Sequence, residues 1–196
     1  MKISVVGLGK LGAPLAAVLA SKGFDVIGCD LNREYVDAVN RGQAPVDEPR
    51  LQELIESSAG RLSATTDVGD AVAQTDVTFV IVPTPSDASG RFSNAALLSA
   101  MDAIGAGVQC KDGYHLVVIT STVMPGSTGG DIQAALERHS GRTVGATLGL
   151  CYNPEFIALG SVIRDMLHLI DQTHRARITT EKLEVQIRRK SRLVQL

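Results

Sequence analysis

The chain has 196 residues, 44% hydrophobic and 20% charged, with a formal net charge of −2, a composition that suits one globular domain able to bury its own core. Its longest apolar runs, HLVVI and VTFVIV, are far too short to span a bilayer. The N-terminus goes straight into KISVVG, with no basic region followed by an apolar signal core, so a soluble, cytoplasmic protein without membrane partners is the expectation.

Strand patterns fall at 2–7, 25–30, 61–65, 77–82, 115–120 and 147–152, and several are apolar on consecutive positions, as strands buried on both faces are. Helical patterns lie between them, near 11–22, 32–41, 49–58, 68–74, 94–107 and 128–139. Alternation of this length predicts an α/β fold: a doubly wound, mostly parallel, Rossmann-like sheet with right-handed crossovers.

The first strand runs into VVGLGKLG, which places Gly7, Gly9 and Gly12 in G-x-G-x-x-G spacing around Lys10 and Leu11. That spacing is weak alone, but here it follows a strand and opens a helix, the context it needs. Gly7 permits the tight turn, Gly9 lets backbone approach a pyrophosphate, and Gly12 lets helix and strand pack closely. The phosphates are then held by free N–H groups at the helix N-terminus. Asp30 ends the second strand, where a carboxylate accepts from ribose hydroxyls and repels a 2′-phosphate, so NAD is favoured over NADP. Arg33 is close enough to temper that preference, or is simply a solvated residue beginning a helix.

The strands at 77–82 and 115–120 end in VPTPSDASGRFS and TSTVMPGST. Ligands of open α/β sheets bind beyond the carboxyl ends of strands, so both loops are candidates. Pro83 and Pro85 stiffen the first and leave Thr84 between them to contact ribose or phosphate. Ser121 and Thr122 lead the second, and Thr122 is placed to reach the nicotinamide end. Plain turn and helix-cap chemistry is the competing reading for these hydroxyls.

The chain's three cysteines, Cys29, Cys110 and Cys151, and its four histidines show no ligand spacing, so neither a disulfide framework nor a metal site is predicted. Charge is uneven: residues 1–167 carry 12 Lys/Arg and 18 Asp/Glu, and residues 168–196 carry 7 and 3. Glycine and proline also disappear after Gly160. This divides the chain into a nucleotide-binding domain, 1–167, and a basic tail, 168–196, whose pattern fits strand or helix equally. The tail has no aromatic residue and no nucleic-acid motif, so no nucleic-acid partner is expected.

Taken together, VVGLGKLGAPLA, DVIGCDLN, VPTPSDASGRFS, STVMPGST and YNPEF resemble the UDP-glucose/GDP-mannose dehydrogenases in order and approximate spacing, over about residues 1–167. Such enzymes oxidise the C6 hydroxyl of a nucleotide sugar to a carboxylate with two NAD in turn. The resemblance implies cofactor contacts at Thr84 and Thr122, the latter also near the reacting centre, and an acid/base role with water for Glu155. Without it, Glu155 reads as an acid stabilised at a helix N-terminus. The family usually has a second Glu four positions later, where this sequence has Leu159. The family's nucleophilic Cys and the Lys and Asn that assist it have no counterpart here. The expectation is therefore a cofactor half of a two-domain enzyme with a divergent or truncated end, inactive alone, its sugar nucleotide and any homo-oligomer undetermined. The alternatives are a non-catalytic NAD-binding module or remnant and, less well supported, a small hydroxyacid-type dehydrogenase.

Overall fold

A computed structural model of the protein describes residues 1–58, 60–86, 90–154 and 160–175. In chain order its elements are β1 (Lys2–Val6), α1 (Gly12–Ser21), β2 (Asp25–Cys29), α2 (Arg33–Asn40), α3 (Leu51–Ser57), β3 (Leu62–Thr65), α4 (Val68–Ala73), β4 (Val77–Val80), α5 (Ala95–Gln109), β5 (His115–Ile119), α6 (Gln133–Ser140), β6 (Leu148–Tyr152) and α7 (Val162–Arg175). The strands form one parallel sheet in the order β3-β2-β1-β4-β5-β6. This is the doubly wound fold, with its switch of direction between β1 and β4. There the loops leaving two neighbouring strands part and open a crevice at the carboxyl edge.

Burial on both faces follows from the apolar pattern. α4, α5 and α6 cover one face, with Val72, Met101, Ile104, Val108 and Leu136 in the core. On α5 the fully buried Leu97, Met101, Ile104 and Val108 recur at helical spacing, each contributing about 1.5–3 kcal/mol by leaving water. The other face is covered by α1, α3 and α7. Ala13, Ala16, Ala17 and Ala20 keep α1 narrow where it lies over β1 and β2. At the β3 edge, the Asn40 side chain replaces a further strand: its amide donates to the Ala64 carbonyl (2.9 Å) and accepts the Ala64 N–H (2.8 Å).

Two departures from the sequence pattern have local causes. The helix expected over 128–139 is divided: Thr128–Ile132 forms a wide turn kinked at Gly130 (φ −103°, ψ −112°), and α6 follows. α7 was not expected. Its signal is Val162, Ile163 and Met166, apolar at i, i+1 and i+4 and buried beside α1. The helix runs through residue 167, where the charge balance changes. Residues 176–196 lie outside the described residues.

What starts α7 is distant in sequence. Glu48, only 8% exposed, accepts hydrogen bonds from Gly160 N–H at Oε2 (3.1 Å) and from Val162 N–H at Oε1 (3.0 Å). One carboxylate thus satisfies the first orphan donor of the helix and the N–H of Gly160 just before it, and complements the helix dipole.

A buried polar chain crosses the sheet nearer its amino edge. Thr75 Oγ1 lies 3.0 Å from Ser4 Oγ, Ser4 2.7 Å from Thr78 Oγ1, and Thr78 2.8 Å from His115 Nε2. His115 Nδ1 lies 3.1 Å from the Thr75 carbonyl and 3.3 Å from Lys111 Nζ, so both ring nitrogens have polar partners. Burial pushes His115 down from 6.5 to about 4, assisted by the Lys111 ammonium, while the Thr75 carbonyl works in the opposite sense.

A histidine held neutral in the fold stabilises it above its unfolded pKa and loses that contribution as pH falls. The window is set by the two values, 6.5 and about 4, and the loss across it is about 3 kcal/mol. Urea titrations at pH 7 and pH 4 should show this loss in the parent and a flatter profile in His115→Gln. Parallel profiles would contradict the assignment. Glu48→Ala should lower the free energy of unfolding by about 2–3 kcal/mol at pH 7, with Glu48→Gln losing less, because one amide oxygen still accepts.

Candidate functional site

The loop after β1 is built by close contact. Gly7 has φ +100°, and a Cβ there would run into the Ile81 carbonyl of the neighbouring β4 loop. A Cβ on Gly12 would strike the Gly7 carbonyl, so these two positions are glycine because the protein's own backbone fills the space. Gly9 differs. A Cβ there would meet nothing within 4 Å, and its φ is not in the left-handed range. Neither packing nor conformation requires glycine at this position, which leaves the backbone there open to close approach.

The helix that follows leaves its first amides open. α1 has no acidic residue in its first turn and no side-chain cap, and among the described residues the N–H groups of Lys10, Leu11 and Gly12 have no partner. Lys10 is exposed and Leu11 half-buried. Free amides at the start of a ten-residue helix, beside an open glycine, fit a pyrophosphate.

Asp30 stands at the end of β2 as expected, but it does more than face outward. Its Oδ2 accepts the Leu8 N–H at 2.6 Å, and its Oδ1 accepts the Asn32 N–H at 2.8 Å. The carboxylate is thereby fixed beside the glycine loop, with a lone pair left on each oxygen for ribose hydroxyls. Arg33 is exposed in the first turn of α2, whose cap is the Asn32 side chain at 3.0 Å from Glu34 N. Among the described residues Arg33 has no ion-pair partner.

The loops after β4 and β5 share this edge. Pro83 and Pro85 are exposed and Thr84 is half-buried between them. Thr122 is exposed, and among the described residues neither its N–H nor its hydroxyl is engaged. Ser121 is buried instead, with its hydroxyl on the Val82 backbone. Among the described residues, two buried oxygens in these loops lack partners: Thr120 Oγ1 and Asn94 Oδ1. Unpaired buried acceptors are costly, and their position at the ligand edge fits a crevice completed by a polar guest.

The segment bearing Glu155 leaves β6 at the same edge, where Asn153 N–H donates to the Ile119 carbonyl at 2.8 Å. Glu155 and Leu159 lie outside the described residues. Beyond them the chain is caught again by Glu48 at Gly160 and Val162. That anchor was missed from sequence, as were the Asp30–Leu8 bond and the Ser121–Val82 pair. The only available signal was a Glu within an otherwise loop-like stretch, APVDEPR. A cavity of about 160 Å³ lined by Lys2, Asp25, Arg61 and Leu62 opens at the opposite, amino edge and takes no part in this site.

Asp30→Ala removes both the ribose acceptor and the tether on Leu8. NADH affinity measured by calorimetry should fall by the equivalent of about 1.5–3 kcal/mol, roughly tenfold to more than a hundredfold. The unmodified protein should bind NADH more tightly than NADPH. Equal or tighter NADPH binding would refute the assignment.

Comparison with known proteins identifies the site's cofactor. A model of the UDP-glucose/GDP-mannose dehydrogenase family, NAD binding domain, matches residues 1–176. A UDP-glucose 6-dehydrogenase of Haloferax volcanii is 42% identical over 168 residues, covering 85% of this chain and 39% of the relative. Among solved structures, GDP-mannose dehydrogenase from Pseudomonas aeruginosa aligns with TM-score 0.82 at 37% identity, over 85% of this chain and 38% of that one. UDP-glucose dehydrogenase from Pyrobaculum islandicum aligns with TM-score 0.79 at 36% identity, over 84% and 38%. The chain thus spans well under half the length of the relatives it matches. It belongs to the UDP-glucose/GDP-mannose dehydrogenase family, of which it is the NAD-binding domain.

Proposed function

We propose that this chain is the cofactor-binding part of a nucleotide-sugar 6-dehydrogenase, acting in the cytoplasm on a sugar nucleotide whose C6 hydroxyl is oxidised to a carboxylate. The observation that carries this reading is the open α1 N-terminus, with free space beside Gly9 and Asp30 fixed next to it, in a chain of this family. NAD, when bound, accepts the hydride removed from the alcohol carbon. The chain's own residues hold and orient it: the amides of Lys10, Leu11 and Gly12 on the pyrophosphate, Asp30 on the ribose, and Thr84 and Thr122 toward the nicotinamide half. Thr122, exposed with an unengaged hydroxyl, is assigned the position nearest the reacting centre. Glu155 is assigned proton transfer or water positioning there.

Oxidation beyond the aldehyde needs a thiolate to hold it. None of the three cysteines suits that task. Cys29 is buried in β2, where burial and then the charges of Asp67 and Asp30 push its thiol up to about 12. Cys110 caps α5 just before β5 begins, at the opposite edge of the sheet. Cys151 is half-buried within β6. A nucleophile would have to come from residues other than these 196.

The 196-residue polypeptide should therefore bind NADH yet form none from NAD and UDP-glucose, GDP-mannose or UDP-N-acetylhexosamines over hours, followed by absorbance. Steady production that disappears in Glu155→Gln would show a complete site and overturn the division proposed here. Failure to bind NADH at all would overturn the cofactor assignment itself.

A further inference from the structure

Where β4 and β5 part, the sheet ladder is continued by a side chain. Thr120 N–H and Ser121 N–H both donate to the Val80 carbonyl, at 3.0 and 3.2 Å, so the chain leaving β5 turns instead of advancing by one rung. The next rung would pair the N–H and C=O of Val82 with backbone. Ser121 Oγ takes both places: it accepts the Val82 N–H at 2.9 Å and donates to the Val82 carbonyl at 2.8 Å. On the other side of β4, Ile81 N–H still pairs with the Val6 carbonyl at 2.8 Å, so Val82 is the first residue of this loop released by both neighbouring strands.

We propose that Ser121 is a positioning residue of the cofactor site, which sets the spacing between the Pro83–Thr84–Pro85 loop and Thr122 without itself binding the cofactor. The proposal rests on the NAD-binding reading above. Ser121 is 6% exposed, and its single proton and one lone pair are already committed to Val82. A ligand reaching that oxygen would first have to displace the protein's own bonds. Pro83 and Pro85 carry no N–H, so this loop cannot be pinned through its own amides at those positions, and Val82 supplies the last donor before them. Because a side chain completes the rung, the N–H and hydroxyl of Thr122 stay free at the crevice. A second tie joins the same two loops further out, from Asn94 Nδ2 to Ser127 Oγ at 3.1 Å.

The geometry separates the two halves of the ligand. The α1 N-terminus and Asp30 hold an adenosine diphosphate, and they do not depend on Ser121. The test is calorimetric titration of the 196-residue protein and its variants with NADH and, separately, ADP, alongside thermal unfolding. Ser121→Ala should weaken NADH by about tenfold while ADP stays within about twofold, and Ser121→Thr, which keeps the hydroxyl, should recover most of the NADH affinity. Adding Thr84→Ala to Ser121→Ala should cost less than it does alone, since the loop that presents Thr84 is already untied. Should Ser121→Ala fail to fold, Ser121→Cys, with its weaker donor, takes its place in the same comparison. An equal loss for ADP and NADH, or no loss for NADH, would overturn the proposal. If the unmodified protein bound ADP but not NADH, the NAD reading would fall and this role with it.

Discussion

The short hydrogen bond from Leu8 N–H to Asp30 is the contact on which the site depends. It joins the turn after β1 to the end of β2, and so converts two separate loops into one rigid frame. The turn itself is held from the other side by the Ile81 carbonyl, against which only a glycine can lie. Three neighbouring strands, β2, β1 and β4, therefore determine where the α1 N-terminus points. An isolated G-x-G-x-x-G peptide would have none of this definition. The amides at the start of α1 stay open because the sheet prevents them from folding back on their own chain.

The protein uses polar groups in two opposite ways at the two ends of its strands. Near the amino edge, the Ser4–Thr78–His115–Thr75 chain is closed on itself, its hydroxyls and imidazole bonded to one another and to backbone. Such a network fixes the register of three strands and adds nothing a ligand could use. At the carboxyl edge the pattern among the described residues is reversed: free amides on α1, an unengaged Thr122, and unpaired oxygens on Thr120 and Asn94. The same residue types, serine and threonine, are spent on architecture at one end of the strands and kept in reserve at the other.

Much of this organisation was legible in the sequence, and the part that was not shares a physical cause. The strands, the glycine loop and Asp30 are written locally, in apolar runs and in spacings of a few residues. The six strand patterns all reappear as strands of the sheet, shorter by a residue or two at some ends, where the loops begin. Glu48, Ser121 and His115 gave no such signal, since what they do depends on partners 112, 39 and 37 residues away. α7 was overlooked for a related reason: its buried stripe begins two residues after Gly160, and its cap comes from a different part of the chain. Ser121 and Thr122 were grouped as one pair of hydroxyls. In the fold, adjacent positions on a turning chain face opposite ways, one inward to Val82 and one outward.

Asn40 has a consequence for how the molecule meets others. A terminal strand in a sheet offers a row of unpaired donors and acceptors, and any extended chain can extend the sheet there. By returning both of its amide bonds to Ala64, Asn40 imitates one residue of a neighbouring strand without supplying the rest. An incoming chain finds that rung already occupied and must first expel a side chain held within the same molecule. The sheet is thus finished at β3 by a single planar group, and growth from that edge is stopped where it would otherwise begin.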